Sequence, residues 1–411
     1  MNKIVIDDIR VIENRLECTY SVSGEWKKYF LTPHTFIVEY SKSIDTVPPS
    51  VAVIPFLCNI LPVAWILDGQ VILENVDKDF YDSIDKFKQG FIDMYPALSF
   101  KGRIIPSKVT DNKHHDNSYK TAAFFSGGVD SFSTLISHID ETPILMTLWG
   151  ADIPFEDQAG WNLVDNYIES IANDKKLDYV SIKTPLRRFL DEAGLSEYVV
   201  KETGNNWWYG FQHGVGVIGH AAPYVYQYNV KTIYIASSFT EEDRSTCASD
   251  PSIDNNVRFC GSRVIHDGFE YSRQDKVNRI SEYVRRSGAP LNLRVCWESE
   301  GGSNCCNCEK CHLTILCLLA GKNDPREYGF SYRNDELANM MKDFRMEIHF
   351  THPSCNILYH IIQEEMHKNY KVNDVDKSLK WYYKMDIEKE LSPQKRIMYR
   401  FIRKAKRITR K

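Results

Sequence analysis

Apolar and polar residues in the middle of the chain follow two alternating periods. Short apolar runs, of a length typical for buried strands, are separated by segments whose apolar residues recur every three or four positions, as on one side of a helix. Strands that alternate with helices predict a mostly parallel sheet covered on both faces. The strands are expected at residues 121–125, 143–148, 179–183, 232–236 and 291–295, and the main helices near 132–139, 161–172, 207–224 and 277–284.

The first 110 residues show a different pattern. Alternating and β-branched runs predict a β-rich N-terminal domain that is closed by a helix near residues 80–94. The basic, polar residues 101–117 are expected to form a linker to a central domain at 118–320. Helical spacing predicts that residues 321–411 form a C-terminal extension.

One uncharged stretch, residues 46–67, is about long enough to span a bilayer. Pro55 and Pro62 argue against a continuous helix there. Asp68 and Gly69 stand between two apolar runs, which predicts a β-hairpin. We therefore expect a buried sheet and no transmembrane span.

Charge is distributed unevenly along the chain. The net charge is -4, but residues 395–411 contain nine Lys and Arg and no acidic residue, so residues 1–394 carry -4 minus 9, or -13. Ile397, Phe401, Ala405 and Ile408 fall on one side of the expected terminal helix. A basic amphipathic helix can bind an anionic membrane surface, nucleic acid or an acidic partner, and it can equally dock on this acidic body.

Two glycines separate the first apolar run of the central region from the helix that follows it. The segment reads Ser126-Gly127-Gly128-Val129-Asp130-Ser131. Glycine lets the backbone approach a ligand closely, and the N–H groups of a helix's first turn attract anions. A phosphate-binding loop is therefore predicted. No Walker motif is present, and a G-x-G-x-x-G at Gly214–Gly219 lacks the preceding strand, so we interpret its glycines as helix packing.

Four cysteines stand at a spacing typical of a metal site. Cys296, Cys305, Cys308 and Cys311 form C-x8-C-x2-C-x2-C, in a chain whose acidic N-terminus does not resemble a signal peptide. The N-terminal sequence predicts a cytoplasmic location, where clustered cysteines indicate a metal rather than disulfides. A structural Zn²⁺ site is expected, because four thiolates leave no open coordination position. Cys306 and His312 are competing ligands, and an iron–sulfur cluster is an alternative.

The S-G-G-x-D-S loop resembles the signature of the PP-loop ATP pyrophosphatases, which cleave ATP into an adenylated substrate and pyrophosphate. The resemblance implies an adenine nucleotide α-hydrolase-like α/β fold with a parallel sheet. It implies that Ser126, Gly127, Gly128, Val129 and Ser131 contact ATP and that Asp130 acts through Mg²⁺ or loop order. Asp130 and Ser131 are accordingly candidate catalytic residues.

The loop and the cysteines together resemble the 7-cyano-7-deazaguanine synthase family, over about residues 118–320. That resemblance implies ATP-dependent activation of a 7-deazaguanine carboxylate, a structural Zn²⁺, and a small-molecule or modified-base substrate. Extended relatives serve phage-defence modules, where a protein is the acceptor, or polysaccharide gene clusters. Residues 237–240 depart from the family's G-H-N-x-x-D-like segment, so the acceptor stays open.

Further candidates follow the second and fourth of these expected strands. Asp152 is a candidate nucleotide contact or helix cap. A charged segment that leads into a helix is suited to a phosphate or a carboxylate, and Lys276 in it is a third candidate catalytic residue. Its members are Arg263, His266, Asp267, Arg273 and Lys276. His213 and His220 are expected to be packed rather than catalytic.

These observations predict an adenylating enzyme that uses ATP, Mg²⁺ and Zn²⁺. The enzymatic alternative is thiolation or lysidine-type modification of tRNA or a nucleobase by another PP-loop branch. The non-enzymatic alternative is a nucleotide-binding scaffold.

Overall fold

The computed structural model describes residues 1–114, 119–296 and 303–408, with side chains of the last helix described to residue 401. The chain is of the α/β class and forms two compact units. The first unit comprises Met1–Ser126, Ser137–Ser237 and Thr246–Asp267, and the second comprises Gly127–Ile136, Ser238–Ser245 and Gly268–Lys411.

The first unit is built on one sheet of eleven strands in the described residues. Their order across the sheet is β10-β11-β9-β6-β7-β8-β3-β2-β1-β4-β5. The strands are β1 (Asn2–Ile12), β2 (Arg15–Ser23), β3 (Thr35–Tyr40), β4 (Gly69–Asp77), β5 (Arg103–Thr110), β6 (Thr121–Phe124), β7 (Ile144–Trp149), β8 (Tyr179–Lys183), β9 (Thr232–Ala236), β10 (Arg258–Phe259) and β11 (Ser262–Asp267).

Five neighbouring strands, β11-β9-β6-β7-β8, run parallel to one another. Within these five strands the chain forms β6 first, then β7 and β8 on one side of it, and then β9 and β11 on the other side. The direction of winding therefore reverses beside β6. Ligands of open α/β sheets bind at such a reversal, beyond the carboxyl ends of the strands. The expectation of a mostly parallel central sheet is confirmed.

The N-terminal strands extend this sheet instead of forming a separate one. β3 pairs with β8 through Glu39–Lys183 and Tyr40–Ile182, in antiparallel orientation. β5 pairs parallel to β4 over seven residue pairs, so the expected linker at 101–117 contains a strand. The linker prediction was wrong because β5 is an edge strand. An edge strand pairs with one neighbouring strand only, so a run of polar residues can form it.

Helices occur between the strands in sequence, and further helices follow the last strand. They are α1 (Pro49–Ala52), α2 (Ile54–Ile66), α3 (Lys78–Met94), α4 (Val129–Ser137), α5 (Gln158–Lys175), α6 (Glu192–Thr203), α7 (His213–Ile218), α8 (Ala221–Tyr228), α9 (Pro251–Asp254), α10 (Arg273–Ser287), α11 (Glu309–Ala320), α12 (Leu337–Glu347), α13 (Cys355–Asn369), α14 (Lys380–Tyr383), α15 (Ile387–Glu390) and α16 (Pro393–Ile408).

The uncharged stretch forms a buried helix, not the predicted hairpin. All thirteen residues of α2 are buried. Pro55 lies in the first turn, where its missing N–H has no helical partner to lose, and Pro62 is accommodated inside the helix. The proline argument was wrong because burial of the whole helix outweighs one lost hydrogen bond. In the part of the chain that is described, no helix is both long and apolar enough to cross a membrane.

The second unit is helical in its described residues and contains most of α4 together with α10–α16. Residues 291–296, predicted to include a strand, have no regular secondary structure. Their backbone groups bond instead to loops. Leu293 N donates to Tyr328 O at 2.9 Å, and Arg294 N donates to Gly127 O at 2.7 Å.

Candidate nucleotide loop and metal centre

The glycine loop has the predicted strand–loop–helix geometry. All four residues of β6 are buried, and α4 begins at Val129. Gly127 has φ +77°, a left-handed conformation that other residues adopt only at a cost. The Ser131 hydroxyl donates to Gly128 O at 3.2 Å within the first turn of α4. The segment therefore turns sharply and presents the N-terminus of a nine-residue helix.

Asp130 is held between two cations of α10. Lys276 Nζ lies 3.3 Å from Asp130 Oδ1, and Arg273 Nη1 lies 3.4 Å from Asp130 Oδ2. The Lys276 side chain is 2% exposed and that of Asp130 is 22% exposed. Burial alone would raise the pKa of Asp130, but Lys276 and then Arg273 outweigh it and lower that pKa. The candidate residues Asp130, Ser131 and Lys276 thus lie in one unit, with Asp130 as an anion.

The start of α10 is organised to carry these cations. Ser272 and Asp275 form a capping box, in which the Ser272 side chain accepts from Asp275 N. Lys and Arg in a helix's first turn oppose its dipole, so Asp130 and Asp275 supply the offsetting negative charge. Arg273 also donates through Nη2 to Thr314 Oγ1 on α11 at 3.1 Å. Arg273 therefore links the loop helix α4 to α11.

The four predicted metal ligands converge. The sulfur atoms of Cys296, Cys305, Cys308 and Cys311 all lie within 4.8 Å of one another. Cys296 Sγ is 3.8 Å from Cys308 Sγ, and Cys305 Sγ is 4.0 Å from Cys311 Sγ. A tetrahedral Zn²⁺ site with Zn–S bonds of about 2.3 Å has sulfur–sulfur distances of about 3.8 Å. The cluster could therefore hold a metal ion such as zinc.

The local backbone and the electrostatics also suit a cation. Cys306 has φ +54°, which produces a tight turn in which Asn307 N donates to Cys305 Sγ at 3.3 Å. A hydrogen bond from Cys311, together with other donors, lowers the pKa of Cys308 to about 5, whereas burial raises that of Cys305 to about 11. Four thiolates this close cannot all ionise without a cation between them.

The two competing ligands point elsewhere. Cys306 Sγ contacts Asn304 O at 3.8 Å and lies outside the group of four sulfurs. His312 Nδ1 bonds to Glu347 Oε2 on α12 at 2.8 Å. Cys306 and His312 are therefore packing residues. The four cysteines that the structure brings together are the four expected from the spacing.

The cysteine segment supports the glycine loop directly. Arg294, two residues before Cys296, donates its N–H to Gly127 O. Asn304, beside Cys305, accepts from Val295 N at 3.0 Å and donates to Leu293 O at 2.7 Å. The sequence did not predict the hydrogen bonds of Arg294 or of Asn304. Only the place of Asn304 next to the first cysteine of the triplet could have pointed to it.

Two other predicted residues, Asp152 and Ser126, belong to the first unit. Asp152 is exposed, and α5 is capped by Asp157, whose side chain accepts from Gly160 N, so the capping role assigned to Asp152 was wrong. Ser126 directly follows Phe125 at the end of β6, in the first unit.

The charged segment expected before α10 divides into two parts. Arg263, His266 and Asp267 belong to β11, and His266 Nδ1 lies 2.8 Å from Asp254 Oδ2, with both groups buried. Arg273 and Lys276 belong to α10, in the second unit.

The second glycine motif packs a helix, as predicted. A Cβ atom at Gly214 would lie 2.2 Å from Ala248 O, and one at Gly219 would lie 2.6 Å from Cys58 Cβ. His220 is fully buried, where Nδ1 bonds to Gly216 O at 2.7 Å. Burial lowers the pKa of His220 to about 4, so it is a neutral packing residue.

Comparison with known proteins does not name a family. No family of known proteins matches the chain, and no curated protein sequence matches it. The fold and the two clusters are therefore the basis for a functional proposal.

Proposed function

We propose that the chain is a PP-loop ATP pyrophosphatase that adenylates a carboxylate substrate and releases pyrophosphate. The substrate class that the resemblance favours is a 7-deazaguanine carboxylate, as in 7-cyano-7-deazaguanine synthases. The observation that carries the proposal is the S-G-G-x-D-S turn, with Gly127 at φ +77° and Asp130 between two buried or half-buried cations.

The charges around the loop suit the leaving group of this reaction. Pyrophosphate departs with several negative charges, and fixed cations stabilise charge that develops in a transition state. Lys276 and Arg273 are positioned by α10, and Lys310 also contributes positive charge near Asp130. Mg²⁺, when bound, would offset phosphate charge, and Asp130 is the carboxylate of the loop that would hold it. Ser131 and the loop N–H groups would then orient the phosphates.

The metal centre has a structural role in this proposal. The four cysteines would hold Zn²⁺ and leave no position for a substrate. The ion would fix residues 293–296, whose Arg294 N–H holds the Gly127 carbonyl. Because all four sulfurs lie within 4.8 Å of one another, the arrangement favours a metal site over the redox-active cysteine pair that a thiolation enzyme would use.

The proposal is tested by the products of ATP. Purified protein is incubated with Mg²⁺, a 7-deazaguanine carboxylate and ATP labelled with ³²P at the α-phosphate or, in parallel, at the γ-phosphate, and nucleotides, phosphate and pyrophosphate are separated. We expect AMP or an adenylate together with pyrophosphate, reduced at least a hundredfold in Asp130→Ala. Asp140→Ala is the matched control, because Asp140 is exposed and follows the same helix. ADP and phosphate as the products would reject the mechanism.

The acceptor is tested separately from activation. Mass spectrometry of the reaction with ammonia added should detect the amide or the nitrile if a small molecule is the acceptor. Accumulation of only the adenylate would point to an acceptor that the assay lacks, such as a protein. Pyrophosphate release without ammonia therefore supports the activation step in either case.

A further inference from the structure

The first unit has a cavity at the end of its parallel strands that is opposite to Ser126. It has a volume of about 810 Å³. Its wall includes the first residues of three adjacent strands, Thr121 of β6, Thr232 of β9 and Ser262 of β11. Five residues of extended chain, at about 3.3 Å each, separate Thr121 from Ser126 by about 16 Å. The cavity is therefore distinct from the predicted nucleotide loop.

The lining of the cavity has an excess of positive charge. Four cations face two carboxylates, and both carboxylates are engaged. Asp79 pairs with Lys113 at 2.8 Å, and Glu141 accepts from Tyr234 Oη at 2.9 Å and bonds His138. The cations are Lys113, Lys231, Arg258 and Arg263.

Three of these cations donate hydrogen bonds to neutral groups in the described chain. In the described chain, no carboxylate lies within 4.0 Å of the charged groups of Lys231, Arg258 or Arg263. Lys231 Nζ donates to His114 O at 3.2 Å, and Arg258 Nη1 donates to Val257 O at 2.7 Å.

Arg263 likewise bonds a neutral group, since its Nε donates to Thr232 Oγ1 at 3.2 Å. Each guanidinium carries five N–H donors, so most of them are left for a ligand. The two guanidiniums also repel each other. Burial, and then the charge of Arg263, lower the pKa of Arg258, and the charge of Asp79 offsets only part of this.

A buried hydroxyl adds a second, independent observation. Thr121 is 7% exposed and lines the cavity, and its Oγ1 has no hydrogen-bond partner among the described residues. Buried hydroxyls without a partner are rare, because they lose hydrogen bonds to water. At the rim, the ring of Tyr119 is 87% exposed.

We propose that this cavity binds the phosphates of a nucleotide-sized small molecule through Arg258, Arg263 and Lys231. Phosphate oxygens suit the planar donor array of arginine, and ligand cavities commonly measure about 300–1,000 Å³. The exposed ring of Tyr119 offers a surface for a flat base. The site is independent of catalysis at the glycine loop.

The test localises binding by chemical footprinting of arginine. Phenylglyoxal modification of each arginine is measured by mass spectrometry with and without ADP, inorganic pyrophosphate or adenosine. ADP and pyrophosphate should slow modification of Arg258 and Arg263 at least threefold, whereas adenosine should not. Arg10, which is 70% exposed, is the internal control. The same protection in the Asp130→Ala protein would place the ligand away from the loop.

A binding titration supplies the second measurement. In the Asp130→Ala protein, Arg263→Gln should weaken pyrophosphate binding about tenfold to a hundredfold, by loss of charge-assisted hydrogen bonds. Arg10→Gln should leave it unchanged. The proposal fails if neither arginine is protected, if protection disappears with Asp130→Ala, or if a single-stranded oligonucleotide protects where ADP does not. None of these outcomes bears on pyrophosphate release by the proposed enzyme.

Discussion

Replacing Asp130 with asparagine removes the negative charge shared by Lys276 and Arg273 while keeping the size of the side chain. At 3.3 Å and an effective dielectric constant of 20, the attraction between Asp130 and Lys276 is about 5 kcal/mol before desolvation. Breaking a buried ion pair costs about 3–5 kcal/mol, because one charge stays buried without its partner. The Asp130 side chain is 22% exposed, so water offsets part of this. We expect a loss of about 2–4 kcal/mol in the free energy of unfolding.

The converse substitution should cost less. Lys276→Met removes the buried ammonium and leaves Asp130 paired with Arg273 at 3.4 Å, so we expect a loss of about 1 kcal/mol. In the double variant the unpaired buried ammonium is absent. Lys276→Met should therefore partly rescue Asp130→Asn, and the two effects should not add.

Urea denaturation followed by circular dichroism measures these values, with linear extrapolation of each transition. Glu282→Gln is the matched control, since its pair with Arg286 is 48% and 79% exposed and should contribute less than about 1 kcal/mol. A larger loss in Lys276→Met than in Asp130→Asn, or strictly additive losses, would refute the shared-carboxylate argument.

The same pair gives a pH dependence with a definite sign. Because the folded-state pKa of Asp130 is lowered, its stabilisation is complete above the unfolded value of about 3.9 and is lost as the pH falls through the folded value. The stability difference between the wild-type protein and Asp130→Asn should be constant from about pH 5 upward and shrink below about pH 4. A difference that grows under acid would contradict this.

Four other variants test the metal centre, the packing of a glycine helix and a buried histidine. Cys308→Ser should abolish the stoichiometric Zn²⁺, measured by mass spectrometry of the metal, while Cys306→Ser should retain it. Unchanged metal content in Cys308→Ser would remove Cys308 from the site. Gly214→Ala should lower stability by about 1–3 kcal/mol in thermal unfolding, because its Cβ would lie 2.2 Å from Ala248 O. Because the folded pKa of His220 is about 4, stability should fall by up to about 1.4 kcal/mol per pH unit from about pH 6.5 to 4. His220→Gln should remove that slope in urea titrations, and an unchanged slope would mean that another group causes it.

Local sequence patterns predicted the features that depend on neighbouring residues. The turn at Gly127 follows from two glycines between a buried run and a helical stripe. The metal cluster follows from three cysteines at C-x-x-C-x-x-C spacing, which one tight turn and the start of α11 bring together. Cys296 had to come from farther away, and its inclusion was nonetheless correct.

Patterns failed where distant contacts decide the outcome. Pro62 would break an isolated helix, but α2 is buried along its whole length. Residues 291–296 look like a strand by composition, yet their backbone groups bond to Gly127, Asn304 and Tyr328 rather than to another strand. Tertiary burial and long-range hydrogen bonds are invisible to a periodicity argument.

The sequence by itself determined the class of fold, the strand–loop–helix turn at Gly127 and the four cysteines that converge, because each depends on periodicity or short spacing. Only the tertiary structure decided that Lys276 meets Asp130 across 146 positions of sequence, that Arg294 holds Gly127, and that Arg258, Arg263 and Lys231 share one cavity. Charged side chains far apart in sequence carry no signal of their pairing. Their neighbours are set by the order of the strands and by the packing of α4, α10 and α11.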